Sequence, residues 1–398
     1  MPSKQKEKGR DFNMKIVHLC LGCFYPDNYS YQENMLPKFH KELGYDVEVI
    51  ASLVTFDKNG KETFLKKESV YLNEFGIQVT RLEYRKPLKI FRKLKRYIGT
   101  YKALEKAKPD ILFIHGCQFM DIDIIVRYLK KYPKVKVYVD NHADFSNSAT
   151  NILSKNILHK IIWKHMAHLI EPYTTKFYGV LPARVDFLKN IYTLPENKCE
   201  LLIMGANDEL VNKYCNKEKI KLTKEELNIS NEDFVIVTGG KIDKFKLQTL
   251  LLMKAVKDIQ NKSIKLLIFG SIEESIKSEF EKLCDNKKIK YLGWANEEQS
   301  YKYFSIANLV VFPGRHSVYW EQVVAIGIPM ICKYWEGTTH IDIEGNVKFL
   351  KEDSVEEIKN IIEEISNDGN LYKHMKESAI KEEKNNFLYS SIAKSSIE

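Results

Sequence analysis

Short apolar runs that end in glycine or polar residues and hand over to helix-forming segments set the limits on what this chain can fold into. Lys15 to Leu21 (KIVHLCL) reads as a continuous apolar run, the pattern of a strand buried on both faces of a parallel sheet. Gln32 to Leu43 follows with Leu36, Phe39 and Leu43 on one helical face, Gly44 closes it, and Val47 to Ala51 is the next strand. The alternation continues through Lys108 to His115, Val135 to Val139, Phe234 to Thr238, Lys265 to Gly270, Ile289 to Trp294 and Ala307 to Phe312. It predicts an α/β protein with parallel sheets, and 398 residues suffice for two domains with separate cores.

Ligands of such sheets bind at the carboxyl ends of the strands, where helix N-termini present unpaired N–H groups. Two stretches in the second half suit that position. Pro313 to Ile331 (PGRHSVYWEQVVAIGIPMI) leaves a strand, crosses a polar loop and enters a helix predicted over Tyr319 to Ile326, placing Gly314, His316, Ser317 and Glu321 at the edge. Gly239 to Lys246 (GGKIDKFK) follows another strand and precedes a helix from Leu247. Its glycines let backbone approach a ligand, its lysines bring charge, and a diphosphate would fit. A hairpin turn with solvated lysines is the plainer alternative, and the helical segment that follows counts against it. In the first half, Asp140-Asn141-His142-Ala143-Asp144 ends a strand and faces the same kind of crevice. The polar loop Lys333 to Asn346 offers Thr338, Thr339 and His340 as further donor contacts.

Composition narrows the class. Hydrophobic residues at 44% and charged residues at 29% exclude a disordered chain, and no apolar run approaches the roughly 20 residues of a membrane helix. Residues 1–13 are polar and are expected to form a disordered extension rather than a signal peptide, with Met14 a candidate start. Seven scattered cysteines read as reduced thiols of a cytoplasmic protein, and the lone C-x-x-C of Cys20 and Cys23 lacks the second pair that a zinc site needs. A net charge of +9 points to an anionic partner. The densest charge lies in Tyr84 to Tyr101, where Arg85, Lys86, Lys89, Arg92, Lys93, Lys95 and Arg96 alternate with apolar residues. That pattern predicts a basic amphipathic helix, lying on an anionic membrane surface or packing its apolar side on its own domain. No nucleic-acid-binding module is evident.

The two edge stretches resemble the retaining GT-B glycosyltransferases of the glycosyltransferase 4 type (glycosyl transferases group 1). In that family a polar loop, a helix carboxylate and a Gly-x-Pro close the donor site, and Glu321 and Gly327-Ile328-Pro329 stand here in that order. The family's pair of glutamates is not intact. Gln322 holds the place of the second, with Glu321 beside it, and Arg315, His316 and Ser317 surround the place of the first. The family's Gly-Gly pair in the first loop is also missing, its region reading Asn28-Tyr29-Ser30-Tyr31.

The resemblance implies two Rossmann-like domains facing across a central cleft: an acceptor domain over 14–208, a nucleotide-sugar donor domain over 209–375, and a helix over 376–398 crossing back. It implies loss of a nucleoside diphosphate from an anomeric carbon, with retention and without a metal or other cofactor. Lys241 and Lys246, with Lys244 as competitor for the second, match the basic pair that holds the departing phosphates. Glu321 or Gln322 would bind the ribose. His142 resembles the family's active-site histidine and would contact the transferred sugar, a structural histidine being the alternative. Gly22, Gly240, Gly293, His316, Ser317, Thr338 and Thr339 join the donor site, with Gly293 to Asn296 bordering the base. Arg85, Lys86, Lys89, Arg92, Lys93 and Arg96 are assigned to membrane or acceptor.

Asp121-Ile122-Asp123 spells the metal-binding D-x-D of the other glycosyltransferase fold, but it opens a helix and is read as capping. The implied partners are a nucleotide-sugar donor, a glycan or lipid-linked acceptor of cell-surface polysaccharide synthesis and an anionic membrane surface, with no nucleic acid. The expected location is cytoplasmic, peripheral on the inner face of the membrane. Two other readings remain: a sugar-nucleotide 2-epimerase of the same fold, and a non-catalytic partner of another glycosyltransferase.

Overall fold

The computed structural model describes residues 14–56, 62–144, 148, 154–243 and 247–398. It divides into two compact units, one running to Ile203 and taking in Ile392–Glu398, the other spanning Met204–Ser391. The expected boundary at 208/209 and the expected return from 376 therefore differ from the observed division. Backbone pairing explains part of the shift: Ala206 donates to the Phe387 carbonyl (2.8 Å) and accepts from the Tyr389 N–H (3.0 Å), which ties 206 and 387–389 into one unit. Around that expected boundary two helices begin, Asp208–Tyr214 and Lys217–Glu226, whose first turns are capped by the Asn207 and Asn216 side chains.

The apolar runs form the sheets. In the first unit eight strands lie in the order Cys199–Leu201, Thr174–Gly179, Lys136–Asn141, Ile111–His115, Lys15–Cys20, Asp46–Ser52, Gln78–Leu82, Ser69–Leu72. All pairs are parallel except the last, where Ser69–Leu72 runs antiparallel at the edge. Ile16, Val17, Leu19 and Leu112 to Ile114 are fully buried, as strands covered on both faces require. In the second unit six parallel strands lie in the order Ile289–Tyr291, Ile264–Phe269, Phe234–Gly239, Leu309–Phe312, Met330–Lys333, Val347–Leu350. Numbered along the chain this is 3-2-1-4-5-6, the doubly wound order in which the crevice opens where the winding reverses. Here the reversal falls between Phe234–Gly239 and Leu309–Phe312, so the loops beginning at Gly240 and Pro313 flank one crevice. The first unit reverses between Lys15–Cys20 and Ile111–His115.

The basic stretch does not form one amphipathic helix. Leu88–Leu94 is a helix of seven residues, Lys95 turns left-handed, Tyr97 pairs with Tyr84, and a second helix runs over Thr100–Ala107. The interruption follows from what the side chains bind. Arg96 makes two bonds to the Asp123 carboxylate (2.7 and 2.9 Å) and lies 3.3 Å from Asp121, while Lys95 donates to the Gly22 carbonyl. Arg85 donates to the Tyr97 carbonyl, and Arg92 lies over the Phe64 ring. Asp121 makes no capping bond at its helix. It is buried and accepts instead from Thr100 Oγ1 and the Tyr97 N–H.

Candidate functional site

The Gly239 loop is packed against its own neighbour. Gly240 (φ +119°) and Gly270 (φ +124°) are both left-handed, and a Cβ on Gly270 would lie 1.8 Å from the Gly240 carbonyl oxygen. A Cβ on Gly239 would strike the Phe269 ring at 2.3 Å. Ile242 then donates to the Ser271 carbonyl (2.8 Å), holding the loop beside the one that follows Ile264–Phe269. The glycines thus have an intramolecular reason. Lys241 extends from the loop with its side chain 72% exposed and its ammonium 3.4 Å from the Asp243 carboxylate, within reach of an arriving anion. Lys244 and Lys246 lie outside the described residues. Among the described residues none caps the first turn of the helix Gln248–Asp258 with its side chain.

Across the reversal, the helix starts at Tyr319 and ends at Ile326, stopped by left-handed Gly327. Glu321 lies in its first turn, fully buried. His316 Nε2–H and His340 Nε2–H both donate to Glu321 Oε1, at 2.8 and 2.9 Å. Burial alone would raise this carboxyl group, but the two imidazoles hold it at about 2. Two buried acceptors, Glu321 Oε2 and His340 Nδ1, have no partner among the described residues. Sequence reasoning named all three residues but did not foresee that the histidines converge on one carboxylate oxygen. Gln322 is also buried, with Oε1 unpaired among the described residues and no link to the histidines. Of the pair, Glu321 is the one built into the site.

The remaining donor-site candidates divide. Thr338 spends its hydroxyl on the Trp335 carbonyl (2.8 Å), while Thr339 is exposed. Ser317 is half-buried at the helix entry and its carbonyl accepts from the Trp320 N–H. Gly293 is left-handed, with nothing within 4 Å of where a Cβ would stand, and the Asn296 capping box follows it. His316, Glu321 and His340 place their ligand atoms within 4.8 Å of one another, a spacing that could serve a divalent cation. Metal-bound imidazoles normally anchor the second nitrogen to a carboxylate or carbonyl, and His340 Nδ1 has no such anchor among the described residues. The group fits a hydrogen-bonded carboxylate better than a metal centre.

In the first unit, His142 follows the strand Lys136–Asn141 and lies 3.4 Å from Asp140 Oδ2 and 3.8 Å from Glu33. Asp140 is fully buried and accepts from His115 Nδ1 (2.7 Å) and the Gly116 N–H (3.0 Å). Burial opposes its charge, yet His115 and His142 hold it well below the usual carboxylate range. Burial also lowers His142, but Glu33 and Asp140 outweigh it and raise the imidazole above its ordinary value. Gly22 packs against this edge, where a Cβ would lie 2.6 Å from the Gly116 carbonyl oxygen. His18, His40 and His115 were missed as a group. The signal was a histidine inside or at the end of two apolar runs, His18 in KIVHLC and His115 in ILFIH.

The Glu321 arrangement has a pH signature. Its carboxyl group is depressed in the folded chain, so its contribution is complete above the unfolded value of about 4.3 and is lost as pH falls toward about 2. Urea unfolding of the wild type and Glu321→Gln between pH 6 and 2.5 should show the wild-type advantage shrinking below about pH 4.5. A pH-independent difference would mean that the carboxylate is not held by the two imidazoles.

Residues 219–382 match the family Glycosyl transferases group 1. An N-acetylglucosamine transferase of Clostridium tetani, named for UDP-N-acetylglucosamine and N-acetylmuramyl-(pentapeptide) pyrophosphoryl-undecaprenol, is 23% identical over 308 residues, covering 74% of this chain and 71% of its own. Among solved structures, sucrose-phosphate synthase of Thermosynechococcus elongatus aligns with a TM-score of 0.65 at 14% identity, over 96% of this chain and 97% of its own. UDP-GlcNAc 2-epimerase of Neisseria meningitidis, bound to UDP-GlcNAc, aligns with a TM-score of 0.59 at 13% identity, over 96% and 98%. Residues 219–382 thus carry the match to Glycosyl transferases group 1, in a chain whose two Rossmann-like units share the fold of these solved structures.

Proposed function

We propose that this chain is a glycosyltransferase that moves a sugar from a nucleotide-diphosphate sugar to a glycan or lipid-linked acceptor in cell-surface polysaccharide synthesis, with retention and without a metal. The observation that carries the reading is Glu321, buried at the strand-order reversal of the family-matched domain, with a carboxylate oxygen and a neighbouring imidazole nitrogen that have no hydrogen-bond partner among the described residues. A ribose diol supplies the hydroxyl donors those atoms lack. Lys241, exposed on the opposite loop, would meet the diphosphate and stabilise the charge that develops on the leaving oxygen. We assign Lys246, or Lys244, as its companion, and His142 of the first unit to the transferred sugar. The lipid-linked substrate in the Clostridium relative's name supports an acceptor of that class.

Thermal unfolding with UDP, GDP, ADP and CMP tests the donor site. One diphosphate at 100 times its Kd should stabilise the wild type by about 2.7 kcal/mol, and Lys241→Ala should remove most of that gain. No stabilisation by any of them would overturn the donor assignment and leave a non-catalytic partner. The epimerase is a second reading, supported by the Neisseria likeness. Interconversion of a nucleotide sugar without any acceptor would establish it.

We further propose that the chain works at an anionic membrane surface. Among the described residues no helix is long and apolar enough to cross a membrane. The face of Leu88–Leu94 leaves Leu88 and Ile90 exposed beside Arg85, Lys86, Lys89, Arg92 and Lys93. Each basic residue near an anionic leaflet contributes about 1 kcal/mol. Replacing Lys86, Lys89 and Lys93 together with alanine should cut partitioning onto phosphatidylserine vesicles by a hundredfold or so; unchanged sedimentation with the vesicles would remove the surface role.

A further inference from the structure

Three buried histidines of the first unit form an unbroken hydrogen-bonded row that ends on the carboxylate beside His142. His40 Nε2 meets the Ala393 carbonyl (2.9 Å) and Ser396 Oγ (3.1 Å), His40 Nδ1 meets His18 Nε2 (3.0 Å), His18 Nδ1 meets His115 Nε2 (2.9 Å), and His115 Nδ1 meets Asp140 Oδ2 (2.7 Å). His18, His40, His115 and Asp140 are each fully buried. The proton count follows from these contacts. The Ala393 carbonyl only accepts, so His40 donates from Nε2, and each later contact needs one proton of its own. Four contacts need four protons, and three neutral imidazoles supply three. The fourth lies between His115 and Asp140, and because Asp140 is held well below the usual carboxylate range that proton sits on the imidazole and makes His115 the cation.

We propose that His115 is a positioning residue for His142: held as an imidazolium between His18 and Asp140, it fixes the ionised Asp140 carboxylate against His142 and offsets its negative charge. Asp140 Oδ2 is the atom both rings face, at 2.7 Å from His115 and 3.4 Å from His142. The charged and titratable groups facing this end are Cys20 and Glu33 for His115, and Glu33, Asp140 and Arg184 for His142. Burial lowers His115, but Asp140 outweighs it and lifts the ring to about 9, whereas His18 is driven well below its ordinary value and His40 to about 4, chiefly by burial. The row therefore carries one cation, at the end where it meets the carboxylate. Without that cation, Asp140 would face His142 alone and hold its proton more tightly.

The role of His142 in sugar transfer rests on the function proposed above, so the test needs no substrate. The full chain carrying 15N-labelled histidine is titrated by NMR between pH 5 and 9, with signals assigned from single histidine variants. His115 should show both ring nitrogens protonated through pH 7.5, and a neutral His115 there would overturn the proposal without any variant. In His115→Asn, whose amide keeps a donor toward Asp140 but no charge, the His142 midpoint should rise by about one pH unit. His18→Asn, which leaves the His115–Asp140 contact in place, should leave it unmoved. A His142 midpoint that stays fixed or falls in His115→Asn would show that His115 only fills space. If the chain proves not to be a glycosyltransferase, these outcomes keep their meaning.

Discussion

A carboxylate taken fully out of water must be matched by donors and positive charge, or it takes up a proton. Among the described residues Glu321 and Asp140 are such carboxylates, one in each unit at the carboxyl edge of its sheet, and each is set between two imidazoles. Glu321 lies between His316 and His340, and Asp140 between His115 and His142. Both are held ionised well below the usual carboxylate range. His316 and His340 come from the loops that flank the Glu321 helix, so in the second unit loop conformation and site chemistry depend on the same contacts.

The sheets explain why those loops meet where they do. A parallel strand buried on both faces must be apolar along its length, which leaves polar and reactive side chains only at its ends. In the second unit the reversal of strand order brings the Gly240 and Pro313 loops to the same crevice, with an exposed lysine on one and a buried glutamate behind the other. Close backbone approach at Gly239, Gly240 and Gly270 packs the Gly240 loop against the neighbouring loop that follows Ile264–Phe269.

How much of this was legible in the sequence depended on how local its cause was. Apolar runs are local, and they located the strands and the helix Tyr319–Ile326 to its ends. The basic stretch at 84–101 failed because its pattern was read as one helix, while Arg96 and Lys95 are tied to Asp121, Asp123 and Gly22 far along the chain. Asp121 was misread for the same reason: a helix-start acid looks like a cap until Thr100 and Tyr97 are seen to use it. The edge strand Ser69–Leu72 and the antiparallel pair Val54–Phe56 with Glu62–Phe64 carry too short a pattern to stand out. The histidine row joins residues up to 356 positions apart, and only the parallel register brings His18, His115 and Asp140 side by side.

The central claim is that Glu321, held by two imidazoles, is where the donor nucleoside binds. Calorimetric titration of UDP-, GDP- and ADP-hexoses into the wild type and Glu321→Gln tests it most directly. A lost hydrogen bond to a charged group is worth about 1.5 to 3 kcal/mol, so the account predicts that one nucleotide sugar binds and that Glu321→Gln weakens it by about tenfold to a hundredfold. Equal affinity in the two proteins would contradict it.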